Sequence, residues 1–335
     1  MRIVGYQPAR PLTIWAVSDG RAGIENQALG LAEAIARRAP AEIFTKRVSL
    51  RTPYSWFPSG FVPAPRHALT EDSSAINPPW PDIWIGNGRA SVPLSLGMRA
   101  WSRERTFVVQ LQDPRVNPRE FDLVVPPQHD GLEGQNVMPI LGACHRVTPE
   151  RIEQAVIDFP TRLDELPSPR YAVLIGGKSK RQDISATRAR LISEQLADLQ
   201  RRTGGTLMTT LSRRTSEAAK LQFRARLAPH CALFYEGEGP NPYFAMLGAA
   251  DAIILTPDSV SIPSEAASTG KPIHVLQVDG TGGKLDRFQA ALFARECARP
   301  FKLPLATWSY RPLDETGRVA STVLQQLQAR AGNAR

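Results

Sequence analysis

Short apolar runs, each followed by a polar or glycine-rich loop and then a helical stretch, recur along most of this chain. A strand covered on both faces reads as a continuous apolar run, and regular strand–helix alternation builds parallel sheets. An α/β fold is therefore predicted. In the first half the pattern predicts strands at Leu12–Ser18, Glu42–Val48, Asp82–Ile85, Thr106–Leu111 and Phe121–Val125. Helices are predicted over Asn26–Arg38 and Val92–Ser102, and Arg51–Pro81 is irregular and proline-rich, with exposed-looking Tyr54, Trp56, Phe57, Phe61 and Trp80.

A short helix at Glu150–Asp158 and a polar linker with three prolines, Phe159–Arg170, precede a second alternating series. It predicts strands at Tyr171–Ile175, Thr206–Thr210, Ala232–Tyr235, Ala252–Leu255 and Pro272–Leu276, with helices near Ser185–Arg202, Ser216–Leu227, Tyr243–Gly248 and Pro263–Thr269. Two further helices, Leu285–Glu296 and Asp314–Arg330, complete the pattern. At 335 residues the chain exceeds a usual single domain. The expectation is two Rossmann-like domains, 1–160 and 161–312, facing across a cleft, with a C-terminal helix in 313–335 packing back on the first. Ligands of such folds sit at the carboxyl ends of the strands.

Hydrophobic residues make up 42% and charged residues 22%, as in soluble globular proteins. No apolar run approaches the roughly 20 residues that span a bilayer, and no signal-like apolar region follows Met1. Cys144, Cys231 and Cys297 are far apart, without metal-ligand spacing, which fits a reducing cytoplasm. The formal charge is +9, and Lys178 to Arg226 alone holds twelve Lys/Arg against four acids. That balance suits a polyphosphate ligand or an anionic membrane surface. No nucleic-acid-binding motif accompanies it, which disfavours DNA or RNA.

The strand-end loops carry the candidate chemistry. In the first half these are Asp19, Gly20 and Arg21 with Asn26 and Gln27, then Asn87 and Arg89, then Gln112 and Asp113, then His129 and Asp130. None forms a G-x-G-x-x-G dinucleotide fingerprint. His129 beside Asp130 has the chemistry of a general base, with Asp19 a rival. In the second half, Gly176, Gly177 and Lys178 follow one strand without Walker A spacing; Ser212, Arg213 and Arg214 follow the next, and Glu236 the third. The fourth strand leads into Ser259, Ser261, Ser264 and Glu265. Hydroxyls at a helix start favour an anion, and a carboxylate one turn in suits sugar hydroxyls. The same serines also serve as ordinary helix caps.

Asp251–His274, with its strand, polar turn, Ser-x-x-Glu-Ala helix and Gly-Lys-Pro, resembles the donor-nucleotide segment of GT-B glycosyltransferases of the MurG-like group. Asp19-Gly20-Arg21-x-Gly23-x-x-Asn26-Gln27-x-x-Gly30-Leu31-Ala32-Glu33-Ala34 resembles the mitochondrial fission "elongated mitochondria" family, as do Gln112-Asp113-Pro114, Phe121–Pro126 with His129-Asp130, and Gly176-Gly177. The resemblance covers nearly the whole chain. It implies a GT-B-like fold, diphosphate contacts from Ser259, Ser261 and Ser264, a ribose contact from Glu265, and Gly176 and Gly177 against the nucleotide. It departs from MurG-like enzymes in lacking their glycine-rich first loop.

The function expected is a metal-independent inverting glycosyltransferase using a UDP- or GDP-linked sugar, with no cofactor and a lipid-linked or envelope-glycan acceptor. Location would be cytoplasmic, peripheral at the inner face of the cytoplasmic membrane. Two alternatives stand beside it: a nucleotide-sugar epimerase on the same scaffold, and a non-catalytic adaptor that acts by binding a protein partner.

Overall fold

The computed structural model describes residues 8–179, 181–280 and 283–333. The chain divides into two compact units, one of Met1–Arg146 with Asp314–Arg335, the other Val147–Leu313.

The first unit begins with β1 (Leu12–Ser18), α1 (Ala22–Ala36) and β2 (Ala41–Arg47). After an irregular stretch come β3 (Ile83–Asn87), α2 (Val92–Trp101), β4 (Phe107–Leu111) and β5 (Leu123–Val125). The five strands form one parallel sheet in the order β2-β1-β3-β4-β5. Ile14, Ile85 and Val109 carry the sheet's side of one core, against Leu31 and Ile35 of α1. α1 starts at Ala22, earlier than the predicted Asn26, and its N-cap position Arg21 makes no side-chain cap. Gly30 is required inside this helix because a Cβ there would lie 2.3 Å from the His145 carbonyl oxygen.

The second unit opens with α3 (Pro149–Asp158), capped by the Thr148 hydroxyl. It continues with β6 (Arg170–Ile175), β7 (Gln182–Asp183), α4 (Ala186–Thr203), β8 (Thr206–Leu211), α5 (Glu217–Arg226) and β9 (Cys231–Tyr235). α4 shows why such helices form: Ser185 accepts from the Arg188 N–H, Ala189, Ile192, Leu196 and Leu199 line one buried face, and Gly204 ends it at φ 65°. Then follow α6 (Tyr243–Ala249), β10 (Ala252–Leu255), α7 (Ser261–Ala267), β11 (Ile273–Val275), β12 (Asp279–Gly280), α8 (Lys284–Ala294) and β13 (Ala298–Pro300).

Six of these strands form a parallel sheet, β13-β11-β10-β6-β8-β9. Counted within the unit this is the doubly wound order 3-2-1-4-5-6, with the chain reversing direction across the sheet between β6 and β10. The short antiparallel pair β7–β12 and the edge strand β13 were not predicted. Each is only two or three residues long, too short to leave a periodic signal.

The boundary differs from the predicted residue 160. α3 belongs to the second unit because it packs on α6, where a Cβ on Gly248 would lie 2.5 Å from Val156 and 2.9 Å from the Ile152 carbonyl oxygen. The helix α9 (Glu315–Asn333) returns to the first unit, and its Val319, Ala320, Val323 and Leu324 share a core with Leu31 and Ile35. No helix among the described residues is long and apolar enough to cross a membrane.

Candidate functional site

In the first unit the sheet reverses between β1 and β3, and the loops after these strands carry the predicted polar residues. They are largely engaged with one another. The Asn87 amide donates to the Ile24 carbonyl at 2.8 Å and to Gln27 Oε1 at 3.2 Å, and Gln112 Nε2 donates to the same oxygen at 3.0 Å. Asn87 and Gln27 are buried. Gln112 takes a left-handed φ of 65°, a costly conformation for a residue with a Cβ, where β4 leaves the sheet.

Asp19 Oδ2 is gripped by Arg21 at 2.6 and 2.9 Å, and Gly20 turns the chain at φ 77°. Hydrogen bonding to Asp19 holds the Arg21 guanidinium above its usual pKa. Asp113 pairs with Arg115 at 3.1 Å, and Arg89 donates to the Phe57 carbonyl at 2.9 Å. Asn26 is half-buried on α1. His129 is buried in a 3-10 turn, Gln128–Asp130, that Gly131 ends at φ 71°, and Asp130 is half-buried there.

In the second unit the loops after β6, β8 and β10 are knitted together. Gly176 and Gly177 are buried. The N–H groups of these two glycines, expected to lie against the nucleotide, are bonded within the chain: Gly176 donates to Thr256 Oγ1 at 2.7 Å and Gly177 to Asp258 Oδ2 at 3.0 Å. The Gly176 carbonyl accepts from Thr215 at 2.5 Å. Both glycines are needed for close approach, since a Cβ would meet the Asp258 carboxylate at 1.8 Å or the Arg214 backbone at 2.2 Å.

Asp258, absent from the candidates read in the sequence, is the centre of this junction. Its side chain is 1% exposed and takes bonds from Gly177, Thr256 Oγ1 (2.7 Å) and Arg214 (2.8 Å). Arg214 also reaches the Lys178 carbonyl at 3.0 Å. Arg214 is therefore a clamp between loops though partly exposed, and Arg213 beside it and Lys178 are exposed too.

A cavity of about 350 Å³ opens beside this junction, at the carboxyl ends of β6, β8 and β9. Leu174, Ile175, Leu211 and Ile262 give it apolar walls; Ser212, Arg213, Asn241, Tyr235 and Tyr243 give it polar ones. Three of the four predicted strand ends thus meet in one space, and Ile262 brings in the helix after the fourth. Glu236 does not line it, being paired with Arg224 at 2.6 Å.

Glu265 stands behind Tyr243, whose hydroxyl donates to its carboxylate. Burial pushes the Glu265 carboxyl up to about 7, opposed by that bond, and burial likewise raises the Tyr243 hydroxyl. The three serines divide. Ser264 is buried and bonds back to the Val260 carbonyl at 2.7 Å; Ser261 begins α7 half-exposed; the Ser259 Oγ is buried with no partner. Lys271 of the Gly-Lys-Pro run caps α6, donating to the Leu247 and Gly248 carbonyls at 2.6 and 2.5 Å. Burial draws its pKa down to about 8. Among the described residues no three His, Cys, Asp or Glu side chains gather where they could hold a metal ion.

The structure of UDP-GlcNAc 2-epimerase from Methanocaldococcus jannaschii in complex with UDP-GlcNAc and UDP is similar at a TM-score of 0.52 and 11% identity, over 96% of this chain and 100% of that one. At that identity the likeness shows the fold alone, which is of the GT-B class with two Rossmann-like units. An uncharacterized protein of Rickettsia prowazekii (strain Madrid E) is 25% identical over 358 residues, 93% of this chain and 98% of that protein. The mitochondrial fission protein ELM1 of Arabidopsis thaliana is 30% identical over 282 residues, 76% of this chain. The chain spans 66% of the length of that plant relative. The family model for mitochondrial fission ELM1 matches residues 22–327, and the chain belongs to that family.

Proposed function

We propose that the second unit binds a nucleoside-diphosphate sugar, UDP- or GDP-linked, and that the chain is an inverting glycosyltransferase acting without a metal. The observation that carries this reading is the cavity at the ends of β6, β8 and β9. Its volume lies in the range of small-ligand sites, roughly 300–1,000 Å³. Apolar walls with two tyrosines suit a flat base. Arg213 and Ser212 of the lining supply charge and a hydroxyl for a diphosphate; the exposed Lys178 and the Ser259 hydroxyl stand on neighbouring loops outside the lining.

In this reaction an acceptor hydroxyl gives its proton to a base as its oxygen bonds the anomeric carbon. The bond from that carbon to the diphosphate breaks in the same step, and the diphosphate leaves with the electron pair. Fixed donors that meet the developing negative charge account for the rate. The base is assigned to His129 or Asp19, the two strand-end candidates of the first unit, Asp19 being bonded to Arg21. The acceptor is a lipid-linked or envelope glycan. Because Tyr243 covers Glu265, a sugar hydroxyl reaches that carboxylate only by displacing the phenol.

The test is calorimetric titration of wild type, Arg213→Ala and Ser259→Ala with UDP, GDP and their sugars. Wild type binds one nucleotide at micromolar to millimolar concentration, and Arg213→Ala weakens it. Absence of millimolar binding to every nucleotide removes the proposal. The fold likeness to a UDP-GlcNAc 2-epimerase favours a second reading, epimerisation on the same scaffold. Inversion at C2 of the sugar without any acceptor would establish it instead.

A further inference from the structure

The irregular stretch between β2 and β3 folds into a closed loop. Leu50 and Leu69 form an antiparallel bridge at its base, and the Arg51 N–H donates to the Ala68 carbonyl at 2.9 Å. Two 3-10 turns, Tyr54–Trp56 and Ser59–Phe61, shape its tip. The loop is pinned from beneath. Val62 and Ala68 are buried, Arg89 holds the Phe57 carbonyl, and Gly60 sits so close that a Cβ would lie 2.9 Å from Val116. The Arg66 guanidinium lies over Trp80 and Trp101, which stack at 6.0 Å. Trp80 is thus packed, contrary to its exposed look in the sequence.

What the loop holds outward is apolar. Trp56 is 74% exposed, Phe61 78% and Phe57 41%. Between Leu50 and Leu69 the sequence contains Arg51 and Arg66 and no acid; Lys46 and Arg47 precede the loop, and Glu71 and Asp72 follow it. Arg47 is paired with Glu25, and Arg51 and the neighbouring Arg89 are exposed with no ion pair among the described residues.

We propose that this loop docks the protein on an anionic lipid bilayer, Trp56, Phe57 and Phe61 entering the headgroup region and Arg51 and Arg89 meeting lipid phosphates. Charge complementarity selects an anionic bilayer: exposed aromatic side chains beside exposed Arg51 and Arg89, which form no ion pair among the described residues, match what a negatively charged membrane interface accepts. The proposal is independent of any nucleotide bound by the second unit.

The test is co-sedimentation of the full chain with phosphatidylcholine vesicles, with and without phosphatidylserine. Wild type pellets with the anionic vesicles and is released by added salt. The Trp56→Ala/Phe61→Ala variant binds at least about tenfold more weakly. Arg51→Gln binds about fivefold more weakly. A measurement independent of those variants uses brominated lipid, which quenches wild-type tryptophan fluorescence. Trp56→Phe keeps binding and loses most of the quenching. Failure of wild type to bind anionic vesicles overturns the proposal, as does equal binding by the double alanine variant. A dimer in gel filtration that this variant converts to monomer also overturns it, since a second copy then covers the patch.

Discussion

The two sheets each reverse direction once, and the polar loops gather at that point in both, yet the two places are built differently. In the first unit the side chains consume one another: Asn87 and Gln112 share the Gln27 oxygen, and Asp19 closes on Arg21. In the second, Asp258 gathers Gly177, Thr256 and Arg214 into a junction, and a cavity of about 350 Å³ remains beside it. The same topology makes a locked network in one unit and an open pocket in the other. What decides is whether the loops spend their polar groups on each other or on one buried carboxylate.

The largest effect that sharpens this contrast comes from Gly177→Ala. The new Cβ would meet the Arg214 backbone at 2.2 Å, which cannot yield as a side-chain tip would. A loss of about 3 kcal/mol in urea unfolding is expected, with nucleotide binding abolished. Gly88→Ala, the counterpart in the first unit, is strained through its φ of 83° but meets Ile24 at 3.0 Å. It should lose only about 1–2 kcal/mol and leave nucleotide binding intact. Equal losses of binding would erase the distinction between the two places.

Asp258→Asn comes next. Removing the charge weakens the bonds from Arg214 and Gly177. About 2 kcal/mol of stability should go, with thermal unfolding as the readout.

Glu265 gives the second unit a pH signature. Its folded pKa of about 7 exceeds the ordinary 4.5, so the folded state holds the proton more tightly than the unfolded chain. Its contribution is fully present below pH 4.5 and is lost as pH rises through about 7. Glu265→Gln should flatten the decline by ~1–2 kcal/mol in urea midpoints taken across that window. A decline that survives in Glu265→Gln assigns it to another group.

The smallest effect tests the locked network. Gln112→Ala keeps the left-handed φ and loses the bond to Gln27, at about 1 kcal/mol. Gln112→Gly loses the same bond but relieves the φ, and so should be the more stable of the two by about 1 kcal/mol. Neither should alter nucleotide affinity in titration.

Much of the fold is legible from residues alone, because a doubly covered strand such as Leu12–Ser18 must be largely apolar, and its predicted ends coincide with β1. The convergence of the β6, β8 and β9 loops follows from the same topology. What the sequence conceals is pairing over distance. Asp258 reads as one more polar residue of a turn, and its partners Gly177 and Arg214 lie 81 and 44 positions away. Gln27, Asn87 and Gln112 read as ligand groups since an amide in a loop looks the same whether it faces solvent or another amide. Lys271 reads as part of a binding signature, but its ammonium closes the end of α6.

The return of α9 to the first unit also sets an order of events during synthesis. Val319, Ala320, Val323 and Leu324 belong to the core that α1 needs, yet they leave the ribosome after all of Val147–Leu313. The second unit is one uninterrupted segment and can fold as soon as it emerges. The first must wait with one face of α1 uncovered, a nascent apolar surface for chaperones to shield until α9 arrives.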